Sequence, residues 1–202
     1  EEIGMNIAFL LFCDFETLDL MGPCEVFGFT EGANLRYFSV AGGLVKAKQG
    51  YFVETEPLSG MEEDSVLVVP GGMGTRALVG DKDFLAALKA ASERASYVLT
   101  ICTGSAILAR TGLLDGLEAT SNKRSYPWVV SQGPAVHWQP SARWVTDGRY
   151  YTASGVSAGT DMALGFVADR LGENAARQIA KIMEYTWNDD KDNDPFAFKG
   201  EL

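Results

Sequence analysis

Three observations predict an α/β fold: a doubly wound, mostly parallel sheet with helices on both faces, like a flavodoxin-type sandwich. Almost uniformly apolar short runs, such as Asn6–Phe12 and Val66–Val69, read as strands buried on both faces. Segments of helical period, Asp81–Arg94 above all, lie between such runs, and strands alternating with helices imply parallel pairing. Three of the strands run directly into chemistry-bearing residues. Sheets of this class place their sites there, beyond the carboxyl ends of strands.

Taken in order, Asn6–Phe12 is the first strand. Pro23 is expected to open a helix through Phe29, because proline is tolerated in a first turn. Leu35–Ala41 alternates and carries the β-formers Tyr37, Phe38 and Val40. Leu44–Val53 has Lys46 and Lys48 at alternate positions, as a solvated edge hairpin would. Val66–Val69 is a buried strand stopped by Pro70-Gly71-Gly72. In Asp81–Arg94, Phe84, Leu85 and Leu88 share one face, and Asp81 sits where the helix dipole favours an acid. Tyr97–Ile101 is a strand and Ser105–Thr111 a short helix ended by Gly112. Ala142–Thr146 and Tyr150–Ala153 flank Asp147-Gly148, a hairpin turn signal. Thr160–Leu171 and Ala175–Trp187 read as the last helices, and Asn188–Asp194 as a polar loop or tail.

The length of 202 residues fits one domain, taken as 1–202, with no internal repeat or linker. Apolar residues at 47% and charged residues at 22% exclude a disordered chain. Seventeen basic against 27 acidic residues give a net charge of −10, which disfavours nucleic acid and anionic membrane as partners. The apolar run Ile7–Cys13 is too short to span a bilayer, and no basic region precedes it as in a secretory signal. Cys13, Cys24 and Cys102 cannot all pair internally, and with His137 the only histidine no zinc spacing exists. A cytoplasmic protein with no metal is expected. Glu1–Gly4, ahead of Met5, carry no reading.

The sharpest constellation is Tyr97-Val98-Leu99-Thr100-Ile101-Cys102-Thr103-Gly104-Ser105. It puts a thiol at a strand-to-helix turn, the geometry of a nucleophile elbow. The new helix should favour the thiolate, lowering its pKa into the range of about 3.5–7.5. Cysteine is more often an inert core residue, but position at a strand end favours function. Cys13 and Cys24 are read as small apolar fillers. In Pro70-Gly71-Gly72-Met73-Gly74, glycine lets backbone N–H groups approach a reacting group, so Gly71 or Gly72 together with Thr103 could form an oxyanion hole. The plain alternative is a tight turn. Asp19, in Leu18-Asp19-Leu20-Met21-Gly22-Pro23, is flanked by apolar residues, where a carboxyl tends to be held protonated and can move protons. Equally, it could cap the Pro23 helix. His137 is read as incidental, Lys123-Arg124 as a solvated face, and Tyr126 and Trp128 as core. Gly155–Asp161 reads as small residues packing ahead of a helix.

These constellations, in this order, resemble the ThiJ/PfpI superfamily, the class I glutamine-amidotransferase-like fold. The matching residues are Phe9-Leu10-Leu11-Phe12, Leu18–Pro23, Val69-Pro70-Gly71-Gly72, Ile101–Ser105, Gly112-Leu113-Leu114-Asp115-Gly116 and Ser157–Asp161, spread over Met5–Trp187. Thr103 after the cysteine separates the chain from protease-like members, which carry Cys-His-Gly, and no late His-x-Glu of the glutamine amidotransferases follows. Cys-Thr-Gly is similar to the isocyanide hydratases; the amidase-like domains of AraC-type regulators are also near. One departure is Asn122, where hydratase-like members often have His. The resemblance implies Cys102 as nucleophile, Asp19 as the group that holds the thiol and manages protons, and Gly72 and Thr103 as backbone donors. It further implies a small-molecule substrate, no cofactor and a homodimer. Three functions stay open: a cysteine-dependent hydratase or hydrolase, a binding or redox-sensing protein that lost turnover, and a glyoxalase or deglycase.

Overall fold

The computed structural model describes residues 4–201; Glu1–Ile3 and Leu202 lie outside the described residues. Five strands form the parallel centre: β1 (Met5–Leu10), β2 (Ala33–Ser39), β5 (Val66–Val69), β6 (Tyr97–Thr100) and β10 (Tyr150–Ala153). Val66–Val69 is buried at every position, as expected of a strand covered on both faces. Hairpins close the two edges. β3 (Gly43–Lys46) pairs antiparallel with β4 (Phe52–Pro57), and β9 (Trp144–Asp147) pairs antiparallel with β10. The eight-stranded order is β3-β4-β2-β1-β5-β6-β10-β9. A separate parallel pair joins β7 (Glu118–Ala119) to β8 (His137–Trp138). The mostly parallel, helix-flanked sheet predicted from the sequence is the sheet observed.

The helices agree less uniformly. α3 (Lys82–Arg94) starts as read, with Asp81 as its N-cap accepting from the Asp83 and Phe84 amides at 3.1 and 3.0 Å. α4 (Gly104–Arg110) follows β6 after three residues. The first helix differs from expectation: α1 runs Thr17–Gly28, so Pro23 lies inside it rather than opening it. Proline there lacks the N–H that would reach the Asp19 carbonyl, a loss the buried packing of Leu20, Gly22, Val26 and Phe27 outweighs. Asp19 therefore sits in the first turn of α1 and caps nothing. Two short helices, α2 (Thr75–Leu78) and α5 (Tyr126–Gln132), had no recognisable period over so few residues. α6 (Ala158–Leu171) is buried over its first ten residues. α7 (Glu173–Ile182) stops five residues short of the expected end, and Tyr185 and Trp187 fold back instead to hydrogen-bond Asp161.

Two glycines set how closely α6 packs. A Cβ on Gly159 would lie 2.7 Å from Ile101, and one on Gly22 would lie 2.2 Å from the Thr160 hydroxyl. α6 is thereby seated against both α1 and the last residue before Cys102.

The segment after α7 is anchored by charge. Asp194 is buried and meets Arg143 (3.4 Å), Lys123 (3.9 Å) and the Ser154 hydroxyl. Arg143 also holds Asp161 at 2.9 Å. Lys123, expected on a solvated face, is buried: its ammonium donates to Thr120 Oγ1 and to the Ser121 and Ala142 carbonyls. The strap of residues 188–199 covers it, with Phe198 against the Tyr126 ring at 5.2 Å between centroids.

Replacing Asp194 by alanine leaves the buried Lys123 without a carboxylate and Arg143 with Asp161 alone, a change that typically costs about 3–5 kcal/mol. Urea unfolding of Asp194→Ala is expected to show a loss of that size; a loss below about 1 kcal/mol would mean the network contributes no more than a surface ion pair.

Candidate active site

β1, β5, β6 and β10 are mutually parallel or share parallel neighbours, so their carboxyl ends meet at one edge of the sheet. Asp19, Gly71, Gly72, Cys102 and Thr103 converge there. Cys102 follows β6 with φ +56°, a left-handed conformation that costs a side chain about 1–3 kcal/mol unless its surroundings fix it. They do. The Cys102 amide donates to the Ser154 carbonyl at 3.0 Å, and its own carbonyl accepts from the Ser121 and Ser105 hydroxyls at 2.6 and 3.2 Å. The opposing loop can come this close only because residue 71 is glycine. A Cβ on Gly71 would lie 2.5 Å from the Thr103 amide nitrogen and 3.0 Å from Cys102 Cβ.

The sulfur is nearly buried and ringed by donors. Asn122 Nδ2 donates to it at 3.1 Å, and the backbone amides of Thr103 and Val156 lie beside it, where they favour charge on the sulfur. Asn122 Oδ1 accepts from the Ser125 amide at 2.8 Å, which fixes its NH₂ end toward the sulfur. On the other side is Asp19, wholly buried. Its Oδ2 accepts from the Gly71 amide at 2.8 Å, and its carboxyl neighbours the Cys102 side chain.

The electrostatics differ from the sequence expectation. Burial pushes Asp19 up to about 8, with the Gly71 amide opposing and the Glu16 charge adding to the rise. Cys102 was expected to be lowered by its helix; instead burial, followed by the Asp19 charge, pushes it up to about 12, against the Val156, Thr103 and Asn122 donors. α4 is only seven residues long, so its end supplies too little field to offset desolvation. At neutral pH the pair holds both protons, and its first deprotonation, near 8, belongs to the two groups jointly.

The two glycine amides are occupied. Gly71 N–H holds Asp19, and Gly72 N–H donates to Thr103 Oγ1 at 3.0 Å. The backbone amides that face the sulfur are instead those of Thr103 and Val156, beside the Asn122 donor. Val156, in a segment read as packing, has φ +39°, and that turn aims its amide inward. A cleft of about 380 Å³ opens over the thiol, lined by Glu16, Met73, Arg76, Asn122, Arg124 and Val156 among others. Arg76 was not singled out from sequence; it lies on α2 with its guanidinium 3.4 Å from the Trp128 ring centroid. Tyr126 is core, as read, whereas Trp128 forms this stack.

The remaining thiols lie elsewhere. Cys13 is exposed rather than a filler, because the chain turns outward after β1. Cys24 is half-buried, 3.0 Å from the Tyr37 hydroxyl. His137 is exposed on β8 and does not line the cleft. Among the described residues no cluster of three or more metal-ligating side chains occurs, and no helix is long and apolar enough to cross a membrane.

Because the folded-state value of Asp19 is raised from 3.8 to about 8, its protonated form carries stability that is complete below about 4 and lost as pH rises through about 8. Asp19→Asn is neutral at every pH. Its stability relative to the parent, from urea unfolding at pH 5 and pH 8.5, is therefore expected to improve toward the higher pH; a gap that stays constant contradicts a protonated Asp19.

The profile of the DJ-1/PfpI family matches residues 5–169. The isonitrile hydratase of Pseudomonas putida is 30% identical over 186 residues, 91% of this chain and 79% of that protein. A ThiJ/PfpI family protein from Pseudomonas syringae superposes with a TM-score of 0.82 at 32% identity, covering 95% of this chain and 77% of that one. Drosophila melanogaster DJ-1beta shares the fold, with a TM-score of 0.78 at 19% identity over 92% of this chain and 100% of its own. A family match over residues 5–169 and relatives aligned over most of the chain establish the assignment: the protein belongs to the DJ-1/PfpI family.

Proposed function

We propose that this protein is a cysteine-dependent hydratase of small isocyanides. One observation carries the reading: a thiol in a strained elbow faces a buried, protonated carboxyl on one side and an open cleft on the other. Hydrating an isocyanide requires adding a nucleophile and a proton to the same carbon, which is what a paired thiol and carboxylic acid deliver. The similarity to an isonitrile hydratase supports the same choice.

In this reading Cys102 Sγ forms a bond to the terminal carbon of R–N≡C. The thiol proton passes through the Asp19 carboxyl to that same carbon, giving the thioimidate R–N=CH–S–Cys102. Water then adds to the thioimidate carbon, nitrogen takes a proton, and the C–S bond breaks. The products are the formamide R–NH–CHO and the free thiol, so one water is consumed and no redox equivalent or cofactor enters. Thr103 and Val156 amides and Asn122 Nδ2 hold the sulfur each time it carries charge. Asn122 thus supplies from an amide the hydrogen bond that a histidine could donate, and no proton acceptor is needed at that position because Asp19 fills the role.

Asp19→Asn keeps the shape and one donor but cannot transfer a proton. Turnover of a neutral alkyl isocyanide is expected to fall about 10²–10⁴-fold. In the parent, the rate of Cys102 alkylation should rise through about pH 8 as the pair loses its first proton; the variant should lack that step. Full turnover by folded Asp19→Asn, with an unchanged pH profile, would remove the carboxyl from the reaction.

A further inference from the structure

The walls of the cleft carry charge that the hydratase chemistry does not use. Arg76 and Arg124 both line it, against the single carboxylate of Glu16. Among the described residues neither arginine forms an ion pair. Other unpaired arginines do find neutral acceptors: Arg110 and Arg149 donate to backbone carbonyls and Arg170 to the Tyr97 hydroxyl.

Arg76 is also held in place. Its guanidinium stacks on Trp128 at 3.4 Å, and Nη2 donates to the Ser125 hydroxyl at 3.0 Å. Nη1 is buried without any acceptor. A buried donor with no partner costs roughly 1–3 kcal/mol, and a guanidinium is shaped for a planar, two-oxygen acceptor. Burial draws Arg76 below its ordinary value, the mark of a cation partly removed from water with no carboxylate beside it. Glu16 forms no ion pair with Arg76; its Oε1 accepts from Gln49 Nε2 at 2.5 Å. Arg124, exposed at the same opening, adds a second cation.

We propose that the substrate of this cleft carries a carboxylate, which Arg76 and Arg124 hold while the reacting carbon meets Cys102 Sγ. The inference rests on the reading of Cys102 as the reacting group and narrows the substrate to small carboxylated molecules. Trp128 holds the Arg76 guanidinium flat and rigid, so the charge-assisted contact loses little side-chain freedom on binding. Neutral isocyanides would still react, without the benefit of this anchor.

The test compares two alkylating agents that differ in charge alone. Iodoacetate and iodoacetamide each form an S–C bond to Cys102 with loss of iodide, and the thiol proton passes to the buffer. The ratio of their rate constants at Cys102 is read by peptide mass spectrometry and divided by the same ratio for free cysteine; exposed Cys13 serves as an internal control. Because it is a ratio, any change in thiol reactivity cancels. The parent is expected to prefer iodoacetate by about tenfold or more over free cysteine, in line with a charge-assisted hydrogen bond, and to lose the preference as salt rises. Arg76→Gln and Arg124→Gln should each lower it, and the double variant should match free cysteine. Arg124→Gln removes an exposed side chain without an ion-pair partner, so at least one variant folds normally. A parent ratio no higher than that of free cysteine, or a preference untouched by both substitutions, overturns the proposal. Turnover of a neutral isocyanide is scored separately: turnover without the anion preference leaves the hydratase standing and removes the carboxylate, and the preference without turnover does the reverse.

Discussion

The left-handed backbone at Cys102 is the constraint on which the rest of the site depends. A cysteine at φ +56° is held there by its amide on Ser154, its carbonyl on Ser105 and Ser121, and a neighbouring loop that approaches through glycine. Each of those partners belongs to a different part of the chain. Ser154 follows β10, Ser121 follows β7, Gly71 follows β5, and Gly159 lets α6 press against Ile101. Strain at one residue is thus distributed over the sheet edge, and the sulfur projects into the cleft instead of the core. The segment after α7 serves the same end. Asp194 grips Ser154 and Lys123, residues next to or near the contacts that fix the cysteine.

Burial, more than helix polarity, sets the chemistry of the pair. A seven-residue helix cannot compensate for removing both a thiol and a carboxyl from water, so both groups keep their protons. That state suits a reaction which must add sulfur and hydrogen to one carbon. It suits an exposed redox sensor less well, because such sensors depend on a thiolate in contact with solvent. In the proposed reaction, Asn122, the Thr103 and Val156 amides and the protonated Asp19 would divide the work of stabilising negative charge on sulfur as it develops.

Much of this was legible in the sequence, and the misses have definite causes. The parallel centre showed in the apolar runs, because strands buried on both faces leave no room for polar alternation. Cys102, Asp19, Gly71 and Thr103 showed because each follows a strand or sits in an apolar setting. The start of α1 did not, since Pro23 is a strong local signal and tertiary packing overrode it. Lys123 misled because the basic pair Lys123-Arg124 reads as a solvated face, true only of Arg124; the burial of Lys123 depends on Asp194, seventy-one residues away. Arg76, Val156 and the role of Asn122 were hidden for a related reason. Each is defined by a contact across the fold, and a four-residue helix or a single turned amide leaves no periodic trace in sequence.

The most direct test of the account is to look for the covalent intermediate. The protein is incubated with a neutral alkyl isocyanide at pH 8, quenched in acid and digested, and the Cys102 peptide is weighed. The account predicts a mass increase equal to one isocyanide molecule on that peptide during turnover, absent from the Cys13 and Cys24 peptides. Formamide release with no such adduct, continuing undiminished in Cys102→Ala, would contradict it.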